Sequence, residues 1–172
     1  RQFLKSNDDP TVRRLLALAL GQQNKIQEAE ETLTSLIADH PDHVPAYEIL
    51  SLLAAEYPED INKPANYWLE EAVRLNPESA LAHILRGRYL LLNGDRDNGL
   101  ADFERAATLD LSDKEVHLRL IGVLILAQAH EEAREQLEAL RAKAPIEEDL
   151  WQRWALLALQ SDSEQEMQTV AE

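Results

Sequence analysis

The sequence contains no cysteine, which excludes disulfides, thiolate nucleophiles and thiolate metal sites. It leaves cytoplasm and bacterial periplasm or cell envelope equally open as compartments. Aromatic residues make up only 5% of the chain and glycines number five, while hydrophobic residues reach 45% and alanine, leucine and glutamate abound. That mixture suits helices far better than strands, so an all-α class is expected. Positive charge is also scarce, 17 Lys and Arg against 32 Asp and Glu for a net charge of −15. Nucleic acid is therefore not an expected partner, because phosphate binding needs clustered cations that release counterions. The longest apolar stretch, Ile121 to Ala127, falls well short of the roughly 20 residues that span a bilayer, and no membrane insertion is expected. No signal-peptide pattern is evident. A chain that opens on Arg1 and closes on Thr169–Glu172 is expected to be a fragment or a processed product.

What the chain does have is a repeat. One column of mostly small residues reads Ala29, Ala65, Gly99, Ala133; a second reads Leu33, Leu69, Phe103, Leu137; a third reads Leu36, Ala72, Ala106, Leu140; a fourth reads Pro41, Pro77, Leu111, Pro145. Every column has the spacings 36, 34 and 34, and a fixed period of this size marks a solenoid or a propeller. An upstream apolar column, Leu16, Leu50, Arg86, Leu120 and Trp154, runs at 34, 36, 34 and 34. A two-residue insertion therefore lies between Leu50 and Ala65, and Tyr57-Pro58-Glu59-Asp60 is its expected place, since Pro and Asp favour a turn.

The columns resemble the tetratricopeptide-repeat (TPR) pattern of about 34 residues: large at position 4, Leu at 7, small at 8 and 20, aromatic or Leu at 24, Ala at 27 and Pro at 32. Four complete repeats fit, at 10–43, 44–79, 80–113 and 114–147. Residues 1–9 read as the tail of a preceding repeat. Residues 148–172 read as a partial fifth repeat or capping helices, with Trp151 at position 4, Ser161-Asp162 in the turn and Met167 at position 20. Departures are Arg13 at position 4, Arg86 at 7 and Leu111 at 32, which predict less ideal packing in the first and third repeats. Apolar spacing predicts a first helix over about 80–92 and a second over about 96–109 in the third repeat, with Gly87 and Gly99 permitting close approach. The resemblance implies a right-handed α-α superhelix of stacked hairpins, none of which buries its apolar face alone.

Members of the family usually bind an extended peptide or helix along the inner groove, at positions 2, 5, 9, 12 and 13 of the first helices. Here those positions give Arg14 and Leu18, then Glu48, Leu52 and Glu56, then Ile84, Arg88, Leu91 and Leu92, then Leu118, Ile125 and Leu126. Arg119 and Arg153, at position 6 of later repeats, add positive charge beside Arg88. The functional reading is a groove for a protein or peptide segment, amphipathic with acidic flanks. The plainer reading is that neighbouring repeats cover these residues or that local carboxylates pair with the arginines. The clamp that some TPR proteins close on chaperone tails does not match: the residues at its positions are Arg14, Leu18, Ile49, Leu81 and Leu85 in one window, and Glu48, Leu52, Leu85, Glu115 and Arg119 in the next.

Other candidates read as structure. His40-Pro41-Asp42-His43 holds two imidazoles and a carboxylate, but it falls on an inter-repeat turn with no second ligand cluster, so no metal is expected. His83 and His117 share their repeat position with Tyr47 and Trp151 and are expected to pack. Arg86 is expected to reach Glu70, Glu71 or Asp102. The acidic clusters Glu28–Glu31, Glu70-Glu71, Glu131–Glu135 and Glu147–Asp149 read as solvated outer surface. Neither a Ser-His-Asp set nor a Gly-rich phosphate loop is present, so neither an enzyme nor a cofactor is expected. Phe3 and Leu4 at one end and Met167 and Val170 at the other could drive end-to-end self-association. A protein-interaction scaffold is the leading expectation. The alternative is a spacer or regulatory arm in a bacterial cell-envelope, polymer-export or secretion assembly, the kind of setting in which long arrays occur.

Overall fold

Short polar side chains mark where several helices begin. Asp9 accepts hydrogen bonds from the backbone N–H groups of Thr11 and Val12, Ser79 from Ala82, Asp95 from Asn98, and Asp113 from Glu115 and Val116. Each satisfies donors that the first helical turn leaves unpaired. The computed structural model describes residues 9–143. These form eight α-helices and no strand: α1 (Pro10–Gln22), α2 (Ile26–Asp39), α3 (Val44–Glu56), α4 (Ala65–Leu75), α5 (Ala80–Leu92), α6 (Arg96–Ala107), α7 (Lys114–Leu126) and α8 (His130–Lys143). In the third repeat the first helix spans the predicted residues. The second stops two residues short of 109, at Ala107, where Thr108 donates its hydroxyl to the Arg105 carbonyl and ends the ladder.

The chain divides into two compact units, Arg1–Glu78 and Ser79–Glu172. In the first, α1 pairs with α2 and α3 with α4, and α3 also packs on α2 and α1. Ala17, Ala29, Leu33, Leu36, Ala46, Tyr47, Leu50 and Ala72 are fully buried there. In the second, α5 pairs with α6 and α7 with α8, and α7 packs on α5 and α6. Its core joins Ile84, Phe103, Ala106, Leu120, Ile121, Ala133 and Leu137.

Three of the four hairpins close through the same turn. Asn24, Gly94 and Gln128 hold φ of 60°, 86° and 58°, the left-handed region. Each is followed by a backbone N–H that reaches back to the first helix: Lys25 to Leu20, Asp95 to Leu90 and Ala129 to Leu124, all at 2.9 Å. Glycine and asparagine tolerate that conformation; Gln128 adopts it without their advantage. The α3–α4 connection is the exception. It takes up residues 57–64, so the two-residue insertion also removes the start of the fourth helix, which has 11 residues. Glu30 on α2 ties this loop down, its carboxylate accepting from the Asn62 backbone N–H at 3.0 Å and from Asn62 Nδ2 at 2.9 Å.

Each departure from the repeat pattern finds its own partners. Arg13 donates to Asp39 Oδ2 at 2.8 Å and Ser35 Oγ at 2.7 Å. Arg86 pairs with Asp102, and Leu111 is buried in the core of the second unit in place of the usual proline.

Candidate functional site

Helical spacing turns the ninth and thirteenth residues of a repeat's first helix to the same face, one turn apart. In the first unit this places Leu18 of α1 and Leu52 of α3 at equivalent points of two helices that pack together. Both are exposed, Leu52 by more than half. In the second unit the apolar row shifts by a turn: Leu92 of α5 and Leu126 of α7 are the exposed pair, each by more than half, and Arg88 stands four residues before Leu92. Arg88 is exposed and makes no ion pair or hydrogen bond with the described residues.

The remaining expected groove residues divide. Arg14, Glu48, Leu91 and Arg119 are partly buried, Arg119 lying 3.8 Å from Glu115. Ile84, Leu118 and Ile125 are buried in the core of the second unit among Phe103, Leu120 and Ile121. A partner cannot reach these three without unpacking α5 and α7, which corrects the expectation that positions 5 and 12 line an open channel there. Arg153 lies outside the described residues, as do Phe3, Leu4, Met167 and Val170.

Acid is concentrated on the second helices of the hairpins. Among first helices, α1 carries Arg13 and Arg14 and no acid, α5 carries Arg86 and Arg88 and no acid, and α7 carries Lys114 and Arg119 against Glu115. Only α3, with Glu48 and Glu56, departs from this. By contrast α2 carries Glu28, Glu30, Glu31 and Asp39 and no base. Arg13, Arg86 and Arg119 are matched by Asp39, Asp102 and Glu115, while Arg88 is an exposed cation.

The buried polar residues hold hairpins together. Of the three carboxylates considered for Arg86, the structure selects Asp102: Arg86 Nε and Nη2 donate at 2.7 and 2.6 Å, and His83 Nδ1 lies 2.8 Å from the same carboxylate. His117 Nε2 meets Gln136 Oε1 at 3.0 Å. Thus His83 and His117 are buried, as their shared position with Tyr47 implied, but each also bonds a polar residue 19 positions along the chain, on the second helix. Position 23 reads Thr32, Trp68, Asp102, Gln136; the polar residues opposite histidines were the legible signal of these pairs.

Glu30, part of the Glu28–Glu31 cluster expected at the solvated surface, is instead buried against Asn62. Its partner lies 32 residues away, and nothing in the local pattern distinguishes it from its neighbours. At the inter-repeat turn, the Pro41 carbonyl accepts from the Tyr47 hydroxyl at 3.1 Å and from Asn76 Nδ2 at 2.9 Å. His43 titrates below the usual histidine range because burial disfavours its charged form, with Arg14 and then His40 acting the same way against Asp42. Among the described residues no group of three or more His, Asp or Glu is arranged to hold a metal ion, and no helix is long and apolar enough to cross a membrane.

The sequence profile of the tetratricopeptide repeat matches residues 14–56 and 65–107. The chain belongs to the tetratricopeptide-repeat family. No curated protein matches it significantly. Among solved structures, it is similar to a thermophilic TPR protein of Thermus thermophilus, with 28% identity and a TM-score of 0.62 over 88% of this chain and 82% of that one. A TPR protein from Parabacteroides merdae shares 18% identity at a TM-score of 0.58, over 94% of this chain and 62% of that one. YrrB, described as a TPR protein with an unusual peptide-binding site, shares 18% identity at a TM-score of 0.54, over 97% and 86%. The last two likenesses bear on the fold alone. In TPR terms Leu18 and Leu52 occupy position 9 and Leu92 and Leu126 position 13 of the first helices, and Asp102 and Gln136 occupy position 23 of the second.

Proposed function

We propose that this TPR chain is a protein–protein interaction scaffold that docks a partner polypeptide segment on the exposed faces of its first helices. One observation carries the reading. Among the described residues, the large hydrophobic residues left exposed are Val12, Leu15, Leu16, Leu18, Leu52, Leu75, Leu92 and Leu126, and all but Leu75 belong to first helices, whereas the second helices carry most of the acid. Water-exposed leucines cost free energy that a partner recovers, about 1.5–3 kcal/mol for each side chain fully buried. Leu92 and Leu126 are the anchors in the second unit, and Arg88 is the charge beside them that accepts a carboxylate. The expected partner segment is therefore amphipathic, with aliphatic anchors and an acidic flank.

Two variants, Leu126→Asp and Arg88→Glu, test the reading by affinity capture followed by peptide-level identification. Each is expected to weaken capture of the same partner about tenfold or more, with helical content unchanged by circular dichroism. An interaction profile identical to that of the unaltered chain would refute docking and favour the spacer reading.

A further inference from the structure

Two of the five glycines follow an asparagine, at Asn93-Gly94 and Asn98-Gly99. An asparagine amide is chemically labile, and most so before glycine, because the backbone nitrogen that attacks the side chain then has no neighbouring Cβ to hinder its approach. The two identical steps lie in opposite surroundings. Asn93 and Gly94 are both exposed, at the tip of the α5–α6 hairpin, and a Cβ built on Gly94 would meet nothing within 4 Å. The Gly94 N–H donates to the Leu91 carbonyl at 3.2 Å, the long end of the normal range, and Asn93 Nδ2 donates to the Tyr89 carbonyl at 2.8 Å. Asn98 instead lies in the first turn of α6. Its Nδ2 donates to Asp95 Oδ2 at 2.8 Å, the Gly99 N–H donates to the Asp95 carbonyl at 3.1 Å, and Gly99 is buried against Gly87. The repeat singles out the exposed step as well: at the equivalent turns Gln23 precedes Asn24 and Ala127 precedes Gln128.

We propose that Asn93-Gly94 is a site of spontaneous covalent modification, at which the folded chain converts its asparagine to aspartate and isoaspartate. The Gly94 nitrogen gives up its proton and bonds to Asn93 Cγ, Nδ2 leaves with that proton as ammonia, and a succinimide ring remains. Water then adds to the ring. Cleavage of the Cγ–N bond yields aspartate, whereas cleavage between the main-chain carbonyl carbon and the nitrogen yields isoaspartate, with the backbone routed through Cβ. Ring closure requires the Asn93 ψ to turn far from its 12° and both hydrogen bonds of the step to be released. Opening of an exposed turn supplies that motion at low cost; Asn98 gains it only when α6 unwinds and leaves α5. Isoaspartate lengthens the main chain by a methylene between Leu90 and Asp95, whose 2.9 Å hydrogen bond closes the hairpin. Either product adds a carboxylate at the C-terminal end of α5, where the partial negative charge of the helix disfavours it. The proposal does not rest on the docking reading.

Trypsin, cutting after Arg88, Arg96 and Arg105, separates the two steps into peptides 89–96 and 97–105. The 172-residue chain is incubated at mildly alkaline pH and digested, and mass spectrometry follows the replacement of NH2 by OH in each peptide. Methyl transfer by an isoaspartyl methyltransferase measures the isoaspartate. In the folded chain, peptide 89–96 is expected to be modified at least about tenfold faster than 97–105, and in the chain unfolded in urea the two should react at similar rates. Asn93→Gln keeps an amide but not the ring size; it should remove the signal from 89–96 and leave 97–105 unchanged. Equal rates in the folded chain, or faster modification of 97–105, would overturn the proposal. So would a folded chain whose 89–96 peptide stays intact while the unfolded chain is modified, or a rate ratio that persists unaltered in urea, because the fold would then not select the site.

Discussion

Gly87 and Gly99 are the residues whose replacement most directly probes how the third hairpin is packed. A Cβ built on Gly99 would stand 2.9 Å from the Gly87 carbonyl oxygen and 3.2 Å from the Leu91 nitrogen. One built on Gly87 would stand 2.6 Å from Phe103 Cε1 and 2.8 Å from the Gly99 oxygen. Both sites are helical, so alanine by itself would stabilise by about 1 kcal/mol through backbone entropy. Against this, Gly99→Ala meets backbone atoms that move only if α5 and α6 separate, and Gly87→Ala meets the ring of Phe103, which is fully buried. Overpacking of this kind costs about 1–3 kcal/mol, and opening a gap of half an ångström forfeits about a quarter of the dispersion energy along the contact.

The clash therefore exceeds the propensity gain. Each variant is expected to lose up to about 2 kcal/mol net in urea titrations followed by circular dichroism. The double variant should lose less than the sum, since one separation of the helices relieves both contacts. Gly21→Ala is the control of opposite sign: its nearest neighbour is Leu53 Cδ2 at 3.6 Å, ordinary contact, so it should stabilise by up to about 1 kcal/mol. If Gly87→Ala and Gly99→Ala stabilise as Gly21→Ala does, α5 and α6 do not approach as described and the reasoning fails.

Other perturbations address the polar contacts. Asp102→Ala leaves Arg86 without its carboxylate and should cost about 3 kcal/mol; Arg86→Leu/Asp102→Leu should recover most of that, because leucine is the residue at the Arg86 position in the neighbouring repeats, which chemical denaturation of the three proteins would check. His43 has its folded pKa lowered by burial, so the fold favours the neutral ring. Its contribution is complete above the unfolded value near 6.5 and is lost as pH falls through the folded pKa. Melting curves between pH 7.5 and 5 should accordingly decline less steeply for His43→Gln than for the unaltered chain. Gln128→Gly relieves a left-handed residue that is not glycine and should stabilise by about 1 kcal/mol, read as a higher urea midpoint.

Much of the architecture could be read without coordinates because it depends on spacing along the chain. Columns 34 to 36 residues apart put small residues where helices cross and leucines where they interdigitate. The all-helical class, the family and the hairpin of α5 with α6 follow from that periodicity. The candidate surface was legible only in part. Leu18, Leu52, Arg88, Leu92 and Leu126 emerge on exposed faces, whereas Ile84, Leu118 and Ile125 turn inward. The same apolar side chain serves a core or a channel depending on how neighbouring helices rotate, and sequence does not carry that angle.

By itself, then, the sequence determined the order of helices and their pairing into hairpins, because these are set by interactions within a few turns and by a period repeated along the chain. Only the tertiary structure decided which carboxylate meets Arg86, that Glu30 is buried as the anchor of the 57–64 loop, and which leucines remain at the surface. Those outcomes depend on groups brought together from 16 to 32 residues apart and on the competition between desolvating a polar group and satisfying its hydrogen bonds, which is resolved only where the helices come to rest.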